Sequence, residues 1–422
     1  MTRITRTAVV LLAAVAVAGA APVQQTLAAG GDNAVVHWNE FAVKTVLADS
    51  ARATPSASAL YVGIVQAAVY NAVVAIEGGY QPYRFALDAP DGASEDAAVA
   101  TAAHDVLQEY FSAQEGTIDG EYSAFMSQIP DGQSKIDGTS VGAASAGAMI
   151  ADRTGDGRDV NPGFTFQGGT GYWTPPPGTS GVTPYTAKVR PFLMESPDQF
   201  RPNGPLATDS PQYAAEYDEV KAFGDKNSTV RTPLQTAVAV FWSENTVGQY
   251  NRAFRTLATT RSLSVLDSAR LFAMTGLTQA DAMIGCWDAK YFYQHWRPFQ
   301  AIHAGDADGN PRTVGDPNWT PFASTANHPE YVSGHGCLTG ATAEVLKQFL
   351  GNPHIDFVIT GPATTGGPPT VVHTFDKDQD LIQEVSDARV WGGDHFRTGS
   401  TDGVEIGHRL AKWALDRYFQ RT

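Results

Sequence analysis

The sequence predicts an all-α fold, organised as two packed helical bundles with long loops rich in Gly and Pro. Apolar residues recur at helical spacing, as Val62, Val65 and Val69 do within the segment 60–76. The alanines between them leave room for helices to pack closely, as a bundle requires. Only one short segment, 371–375, is predicted as a strand. A substantial β-sheet would therefore contradict this prediction.

Helical patterns occur along both halves of the chain, with one long interruption between them. The interruption, 161–191, is rich in Gly, Pro, Thr and aromatic residues, and we expect it to form part of a binding wall or to be a plain connector. We place an N-terminal helical half at 30–225 and a catalytic half at 226–422. The predicted helices cover 37–47, 60–76, 96–111, 118–129, 140–153, 210–223, 232–242, 264–293, 336–350, 378–391 and 402–418.

The charge balance restricts the possible partners. The 422 residues include 29 basic and 44 acidic side chains, which gives a formal net charge of −15. Such an acidic chain is a poor partner for nucleic acid or for an anionic membrane surface. No segment after the N-terminus is predicted to cross a membrane, so we expect no stable membrane insertion. Positive charge that clusters at one place in this chain is correspondingly informative.

The N-terminus has the features of an export signal. Arg3 and Arg6 precede an apolar run, 8–21, and small residues that suit cleavage follow it. The run is too short to span a bilayer comfortably. We predict a signal peptide over 1–29 and a secreted or periplasmic mature protein. The alternative is a hydrophobic N-terminal helix of a cytosolic protein.

Two cations in the second half of the chain indicate an anion site. Lys290 and Arg297 are seven residues apart, directly before Pro298. On a continuous helix this spacing is two turns and places both cations on one face, and the proline then ends or bends the helix. Two cations on one face are costly unless an anion lies between them. Without further segments, Lys290 and Arg297 would more often lie on a solvated helix face.

Two later segments supply further ligands for an oxyanion. Ser333-Gly334-His335 brings a hydroxyl, a glycine amide and an imidazole, and Arg389 with His395 brings a guanidinium and a second imidazole. Guanidinium groups bind oxygens in pairs, and an ammonium acts as a point charge. A helix that begins near Ser333 would direct its positive end at the anion. The three segments together suit a tetrahedral or trigonal oxyanion.

In order and in spacing, the three segments resemble the motif of the vanadium-dependent haloperoxidase and type 2 phosphatidic acid phosphatase superfamily. Residues 38–39 and 67–72 also resemble the long secreted bacterial members, so the resemblance covers nearly the whole mature chain. We expect the site at helix ends in the second bundle. The motif takes the form Lys290-x6-Arg297-Pro298, Ser333-Gly334-His335 and Arg389-x5-His395 in this chain.

Three positions depart from the pattern of this superfamily. Val332 stands where the family often has proline, and Ala388 stands where it often has serine. Gly399 stands four residues after the last histidine, where many phosphatase members carry an Asp that orients this histidine. Asp394 and Asp402 are the candidates to take over that role.

The resemblance implies one pocket with two possible reactions. In a haloperoxidase, vanadate is the cofactor and His395 its metal ligand, while His335 acts as acid–base on bound hydrogen peroxide and halide is oxidised to hypohalous acid. In a phosphatase, which needs no vanadate, His395 attacks the phosphate ester to form a phosphohistidine, and His335 protonates the leaving group. The groups that would hold the oxygens of vanadate or phosphate are Lys290, Arg297, Ser333, Gly334 and Arg389.

Three further residues are assigned to the halide pocket or its surroundings. Trp287 matches a pocket tryptophan of chloroperoxidase members, and His328 lies where bromoperoxidase members can carry histidine. His328 would tune peroxide protonation or the halide site, with a hydrogen-bonded loop histidine as an equal alternative. Glu244 follows a Phe-Trp pair as an Asp does in chloroperoxidases, so it is expected to pair with Arg389 or with a histidine.

Chain length, Trp287, His328 and the absence of an acid at 399 favour a haloperoxidase that prefers bromide and acts on a small organic acceptor. The first alternative is a secreted acid phosphatase of the same fold. The second is an oxyanion-binding protein without turnover.

Two smaller questions stay open at this point. Cys286 and Cys337 could pair in an oxidising compartment or remain two buried thiols. The polar loop 306–310 has some character of a calcium loop but lacks the distal Glu, so a simple turn is the alternative.

Overall fold

Thirteen α-helices and one two-stranded hairpin provide the main regular structure of residues 33–422, the part of the chain that the computed structural model describes. The prediction of an all-α fold is therefore confirmed. The signal peptide predicted at 1–29 lies outside the described residues. Residues 33–422 form one unit, and the boundary predicted between 225 and 226 stays a prediction.

Most helices begin and end near their predicted bounds, but α2, α5 and α13 begin five to seven residues earlier, because their first turns lack the apolar pattern. The helices are α1 (Ala34–Ala48), α2 (Pro55–Glu77), α3 (Glu95–Tyr110), α4 (Glu115–Met126), α5 (Gln133–Arg153), α6 (Pro211–Phe223), α7 (Pro233–Phe241), α8 (Thr246–Thr260), α9 (Val265–Tyr293), α10 (Pro298–His303), α11 (Gly334–Leu350), α12 (Asp378–Trp391) and α13 (Arg397–Leu415). The strands are β1 (His354–Pro362) and β2 (Pro369–Lys377).

Three elements lie outside the predicted set: the short helix α10, helix α8 and strand β1. Helix α8 buries Val247, Tyr250 and Phe254 on one face. The polar residues of its opposite face make this apolar pattern less apparent in the sequence. Strand β1 pairs antiparallel with β2, so the single predicted strand is one half of a hairpin. A lone strand would leave its backbone groups without partners, which is why a second strand is needed.

Close helix packing brings the motif segments together. Helix α2 is long and apolar enough to cross a membrane by length and composition, and 89% of its apolar window is buried inside the protein, where it packs along α9. Helices α11 and α13 approach closely through glycine, since a Cβ on Gly340 would lie 2.1 Å from the Val404 carbonyl oxygen. The Ser333 amide donates to the Gly399 carbonyl (2.8 Å), so both helices begin at the same place.

The excursion at 161–191 packs against the end of α9. Asp281 of α9 accepts hydrogen bonds of 2.6–2.7 Å from the three amides of 192–194, which anchors the chain directly after the excursion. The Val182 carbonyl accepts from Trp287 Nε1 at 3.1 Å. Val182 and Trp287 line the same cavity, so the excursion forms part of a binding wall, the first of its two expected roles.

Candidate active site

A cavity of about 240 Å³ opens where helices α11 and α13 begin and α9 and α12 end. Lys290 and Ser333 are fully buried next to its lining. Nine of the ten predicted site residues are therefore in one place, and Glu244 is the exception. The predicted residues that line the cavity are Trp287, Arg297, His328, Gly334, His335, Arg389 and His395.

The two cations of the first segment do not share a helix face. Helix α9 ends at Tyr293, and Gln294 follows it in the left-handed conformation, with a φ of 51°. Arg297 is the N-cap residue of the short helix α10, which begins with Pro298. The expectation of two turns on one continuous helix is therefore wrong. A turn after α9 instead returns Arg297 to the cavity.

Arg297 contacts three parts of the site with one guanidinium group. Its Nε donates to the His328 carbonyl and its Nη2 to His328 Nδ1, both at 2.9 Å. Its Nη1 donates to the Asp394 carbonyl (2.9 Å) and lies 3.3 Å from His395 Nε2. Burial lowers the pKa of Arg297 to about 10. The group stays charged at neutral pH and faces His395.

Lys290 fixes the segment that follows His328. Its Nζ donates to the carbonyls of Pro329 and Glu330, both at 2.9 Å. An ammonium has three N–H groups, so one donor remains after these two bonds. Burial, followed by the charge of Arg297, lowers the pKa of Lys290 to about 8. Lys290 is therefore charged at neutral pH but close to the range in which it loses its proton.

Arg389, near the end of α12, is held by neighbours that leave one of its donors free. Its Nη1 donates to the Trp242 carbonyl (3.1 Å), and its Nη2 donates to Asp394 Oδ2 (2.5 Å). Its Nε is buried and has no hydrogen-bond partner among the described residues. A buried donor without a partner is costly, and beside other cations it is suited to an anion.

The start of α11 directs backbone amides at the cavity. Ser333 is the N-cap residue, and its Oγ accepts from the Gly336 amide at 3.3 Å. The first amides of a helix have no partner within the helix, and they carry its positive end. Gly334, the first residue of α11, lines the cavity. This is the geometry that Ser333-Gly334-His335 predicted.

His395 has a carboxylate partner that was not among the predicted residues. Its Nδ1 lies 2.8 Å from Glu330 Oε1, and both side chains are buried. Burial alone would raise the pKa of Glu330, but hydrogen bonds from His295 and His395 lower it well below its usual range. Burial and Arg297 lower the pKa of His395 far below its ordinary value. Because an ionised carboxylate only accepts, the neutral ring carries its proton on Nδ1, and Nε2 presents a lone pair.

The two acids predicted to orient His395 have other partners. Asp394 Oδ2 accepts from Arg389, and burial raises the pKa of Asp394. Asp402 accepts from the hydroxyl of Tyr331 at 2.5 Å. Both candidates are therefore wrong for this role. Asp394 instead pairs with Arg389, and Asp402 instead binds the hydroxyl of Tyr331.

Glu330 and His295 are the site residues that sequence reasoning missed. The Oε2 atom of Glu330 lies 3.3 Å from His295 Nδ1, so this carboxylate joins two imidazoles. The sequence contained a signal for Glu330. Because position 399 is glycine, a carboxylate that orients His395 has to come from another segment. Glu330 is the acid nearest in sequence to Ser333.

His335 lines the same cavity in a less constrained setting. Its Nε2 is buried and has no partner within residues 33–422. The ring has a hydrogen bond with the backbone of Trp242. Burial and the charge of Arg389 lower the pKa of His335 well below its ordinary value. A neutral imidazole with an unoccupied ring nitrogen can accept or donate a proton in the cavity.

Trp287 and His328 form one side of the cavity. Their ring centroids are 4.9 Å apart, and the apolar side chains of Met283 and Leu338 line the space beside them. Burial and the charge of Lys290 lower the pKa of His328 well below its ordinary value, so this ring is neutral. The arrangement places an apolar pocket next to the cations.

Glu244 lies outside this site. Its two carboxylate oxygens accept from Arg252 at 2.9 and 2.7 Å. The expected pair with Arg389 or a histidine is therefore wrong, because Arg252 on α8 takes both oxygens of this carboxylate. The acid that approaches the Trp242 region is Glu384, whose Oε1 accepts from Trp242 Nε1 at 2.9 Å.

The thiols and the polar loop can also be placed. Cys286 and Cys337 are free and buried. In the loop 306–310, both oxygens of Asp308 accept from the Thr313 hydroxyl at 2.8 and 2.7 Å, so the loop bonds to itself. Across residues 33–422, no group of three or more His, Cys, Asp or Glu side chains could hold a metal ion.

The side chains at the cavity fit a tetrahedral oxyanion. Arg297 and Arg389 line the cavity, Lys290 is buried next to the lining, α11 begins there, and His395 offers a lone pair at Nε2. Within the described part of the chain, Arg389 Nε and His335 Nε2 remain without partners, and an oxyanion bound here would give both of them one. Vanadate and phosphate share this shape and charge, so the donor set suits either of them.

Comparison with known proteins agrees with this geometry. Residues 270–421 match the family model of the VCPO second helical-bundle domain. Residues 270–421 therefore resemble the second helical-bundle domain of this family. Vanadium chloroperoxidase from Curvularia inaequalis is 28% identical over a match that covers 39% of this chain and 32% of that protein. The chain thus spans about a third of the length of this curated relative.

Solved haloperoxidase structures share the fold over most of the chain. A bacterial vanadium-dependent iodoperoxidase superposes with a TM-score of 0.76 and 21% identity, covering 92% of this chain and 97% of that one. The apo-type bacterial vanadium-dependent chloroperoxidase gives a TM-score of 0.70 and 17% identity, covering 86% and 93%. The holo-type form gives 0.70 and 18%, covering 86% and 92%. The haloperoxidase fold therefore extends beyond the matched domain.

Proposed function

We propose that the chain is a vanadate-dependent haloperoxidase that uses hydrogen peroxide to oxidise halide, with bromide preferred, to hypohalous acid. The observation that carries this proposal is the buried cavity in which the lone pair of His395 Nε2 lies beside Arg297, among three cations. The relatives and structural neighbours named above are haloperoxidases, which favours this activity over a phosphatase.

The residues present fit vanadate as the cofactor. His395 would bind it through Nε2, since Glu330 holds the ring proton at Nδ1. The groups placed to hold its oxygens are Lys290, Arg297, Arg389, Ser333 and the amide of Gly334. Bound vanadate supplies an electrophilic centre that activates hydrogen peroxide toward a halide.

The chain itself supplies charge and proton transfer. Arg297 and Arg389 offset the negative charge of the oxyanion, and their burial strengthens this interaction. His335 is neutral, so it can take a proton from hydrogen peroxide as general base. Its Nε2 is the atom placed for this transfer, because it is buried and has no partner among the described residues.

The apolar side of the cavity is suited to the halide. Trp287, Met283 and Leu338 exclude water there, and the nearby cations attract a small anion. His328 adds a neutral imidazole next to Trp287, which supports the preference for bromide. The hypohalous acid would then react with a small organic acceptor.

Export is part of the same proposal. Arg3 and Arg6 followed by the apolar run 8–21 support removal of a signal peptide and a secreted or periplasmic enzyme. N-terminal sequencing of protein recovered from the periplasm and the medium tests this. A mature chain that begins near residue 30 is expected, and a cytosolic chain that keeps Met1 would contradict it.

One paired assay separates haloperoxidase from phosphatase. The purified mature protein receives vanadate, bromide and hydrogen peroxide, and bromination of a phenol dye is followed. A chromogenic phosphate ester is assayed in parallel without vanadate, and His395→Ala serves as the blank in both. We expect vanadate-dependent bromination that His395→Ala lacks. Ester hydrolysis that vanadate merely inhibits, without bromination, would overturn the proposal in favour of the acid phosphatase.

A further inference from the structure

The space beside Gly399 is filled by a carboxylate from another segment. Gly399 is the third residue of α13 and stands where a carboxylate-bearing residue would follow His395 by one turn. A Cβ built on Gly399 would lie 2.2 Å from Glu330 Oε1 and 3.0 Å from Oε2. An acidic side chain at 399 and the side chain of Glu330 therefore exclude each other.

Glu330 makes three hydrogen bonds in this space. Its Oε1 accepts from His395 Nδ1 at 2.8 Å and from the Phe396 amide at 3.2 Å. Its Oε2 lies 3.3 Å from His295 Nδ1. The side chain is 1% exposed, so these bonds satisfy a carboxylate that water cannot reach. They hold the ring of His395 at its Nδ1 edge and leave Nε2 toward the cavity.

The backbone of Glu330 is itself fixed by the site. Lys290 donates to its carbonyl at 2.9 Å, and the Glu330 amide donates to the His295 carbonyl at 2.9 Å. Arg297 holds His328, two residues earlier in the chain, by its carbonyl, also at 2.9 Å. Lys290 and Arg297 thus also fix the backbone around Glu330, the residue that orients His395.

We propose that Glu330 is the positioning residue of His395, with His295 as its second support, and that Gly399 is the position that makes room for it. The inference rests on the proposed role of His395 as the vanadate ligand and deepens it. Two sequence positions, 330 and 399, then share one task, and a carboxylate is required at only one of them.

The experiment moves the carboxylate from one position to the other. The full chain is prepared as wild type, Glu330→Ala, Glu330→Gln and the double variant Glu330→Ala with Gly399→Asp. Asp is compatible with the first turn of α13, where a negative charge is favourable. Orthovanadate binding to the cofactor-free protein is measured by equilibrium dialysis. Long-range proton–nitrogen spectra of histidine-labelled protein report which nitrogen of His395 carries the proton.

We expect Glu330→Ala to weaken orthovanadate binding by about 10- to 100-fold, as loss of a residue that orients a metal ligand commonly does. The double variant should recover most of this loss, and the Nδ1-protonated form of His395 should return with it. Glu330→Gln keeps an acceptor oxygen and should lie between wild type and Glu330→Ala. If Glu330→Ala is too unstable to assay, Glu330→Gln carries the test, and binding within twofold of wild type would overturn the proposal.

A matched control is Glu344→Ala. Glu344 is also a buried glutamate paired with a histidine, His408, at 3.2 Å, and it lies in α11 outside the cavity lining. It should bind orthovanadate like wild type. Wild-type binding by Glu330→Ala, or a folded double variant that recovers nothing, would overturn the proposal. A wild-type protein that binds orthovanadate but does not brominate would refute the proposed function and leave this inference standing.

Discussion

Two imidazoles that line the cavity, His335 and His395, lie in contrasting surroundings. His395 is bonded at Nδ1 to the carboxylate of Glu330 and faces Arg297 at Nε2. His335 has Nε2 buried with no partner in the described part of the chain. Both pKa values are lowered by burial, so charge does not distinguish the two rings. What distinguishes them is the partner of each ring: a buried carboxylate holds Nδ1 of His395, whereas His335 has a backbone hydrogen bond with Trp242.

This difference matches two different tasks. A metal ligand must keep one orientation and one tautomer, and hydrogen bonds to its other nitrogen provide both. An acid–base group must gain and lose a proton, so a nitrogen without a fixed partner suits it. The comparison therefore assigns attachment of the anion to His395 and proton transfer to His335, and variants of each ring test the assignment.

Replacement of the anchored ring should have the largest effect. His395→Ala removes the Nε2 lone pair that lies beside Arg297 and would bind the anion, so orthovanadate binding and bromination should both fall below detection. Equilibrium dialysis and the bromination assay measure the two quantities, and thermal unfolding checks that the variant is folded. Retention of orthovanadate binding near the wild-type level would contradict the assignment of anion attachment to His395.

Replacement of His335 should lower the rate of turnover and leave anion binding in place. His335→Ala should lower the bromination rate by about 10²–10⁴, while orthovanadate affinity stays within a few-fold of wild type. The same two measurements apply, with His395→Ala as the reference for lost binding. If His335→Ala eliminates orthovanadate binding, the role assigned to His335 is wrong.

Lys290 should make anion binding depend on pH. The pKa of Lys290 is lowered to about 8, and an anion binds the protonated form more tightly. Above about pH 8 each bound anion must also recruit a proton, so affinity should fall by up to about tenfold per pH unit. Sulfate is the suitable probe, because its own charge is constant in this range.

Lys290→Arg is the control for that measurement, since a guanidinium does not titrate there. The variant should bind sulfate with little change from about pH 7 to about pH 9.5. An equal loss of affinity in wild type and Lys290→Arg would show that another group controls the pH dependence.

The third imidazole should have the smallest effect. His328→Phe removes the Nδ1 acceptor of Arg297 but keeps a ring against Trp287. We expect the ratio of kcat/KM for bromide over chloride to fall by a few-fold, with orthovanadate binding retained, because a single neutral hydrogen bond contributes about 1 kcal/mol. Steady-state kinetics with both halides check this, and an unchanged ratio would remove His328 from halide selection.

The sequence predicted which residues meet at the cavity because they lie in short motifs. Ser333 and Gly334 cap a helix, and this local rule places them without knowledge of the fold. Arg297 was predicted to lie near Lys290 because both were expected on one continuous helix. This reason was wrong, since α9 ends at Tyr293. Periodicity alone does not reveal that the left-handed Gln294 ends the helix.

The partner of His395 could not be placed by spacing. Asp394 and Asp402 are near it in sequence, whereas Glu330 arrives from 65 residues away through tertiary packing. The pairing expected for Glu244 was wrong for a different reason, because its partner Arg252 lies on α8, a helix that was not predicted. Local rules predicted the residues that line the cavity. The hydrogen-bond partners of these residues depend on tertiary contacts.

The most direct test of this account is a crystal structure of the full mature chain with orthovanadate. The account predicts vanadium bonded to His395 Nε2, with the His395–Glu330 hydrogen bond retained and the vanadate oxygens within hydrogen-bond distance of Arg297 and Arg389. Vanadium bonded to His335, or vanadate bound outside the cavity, would contradict it.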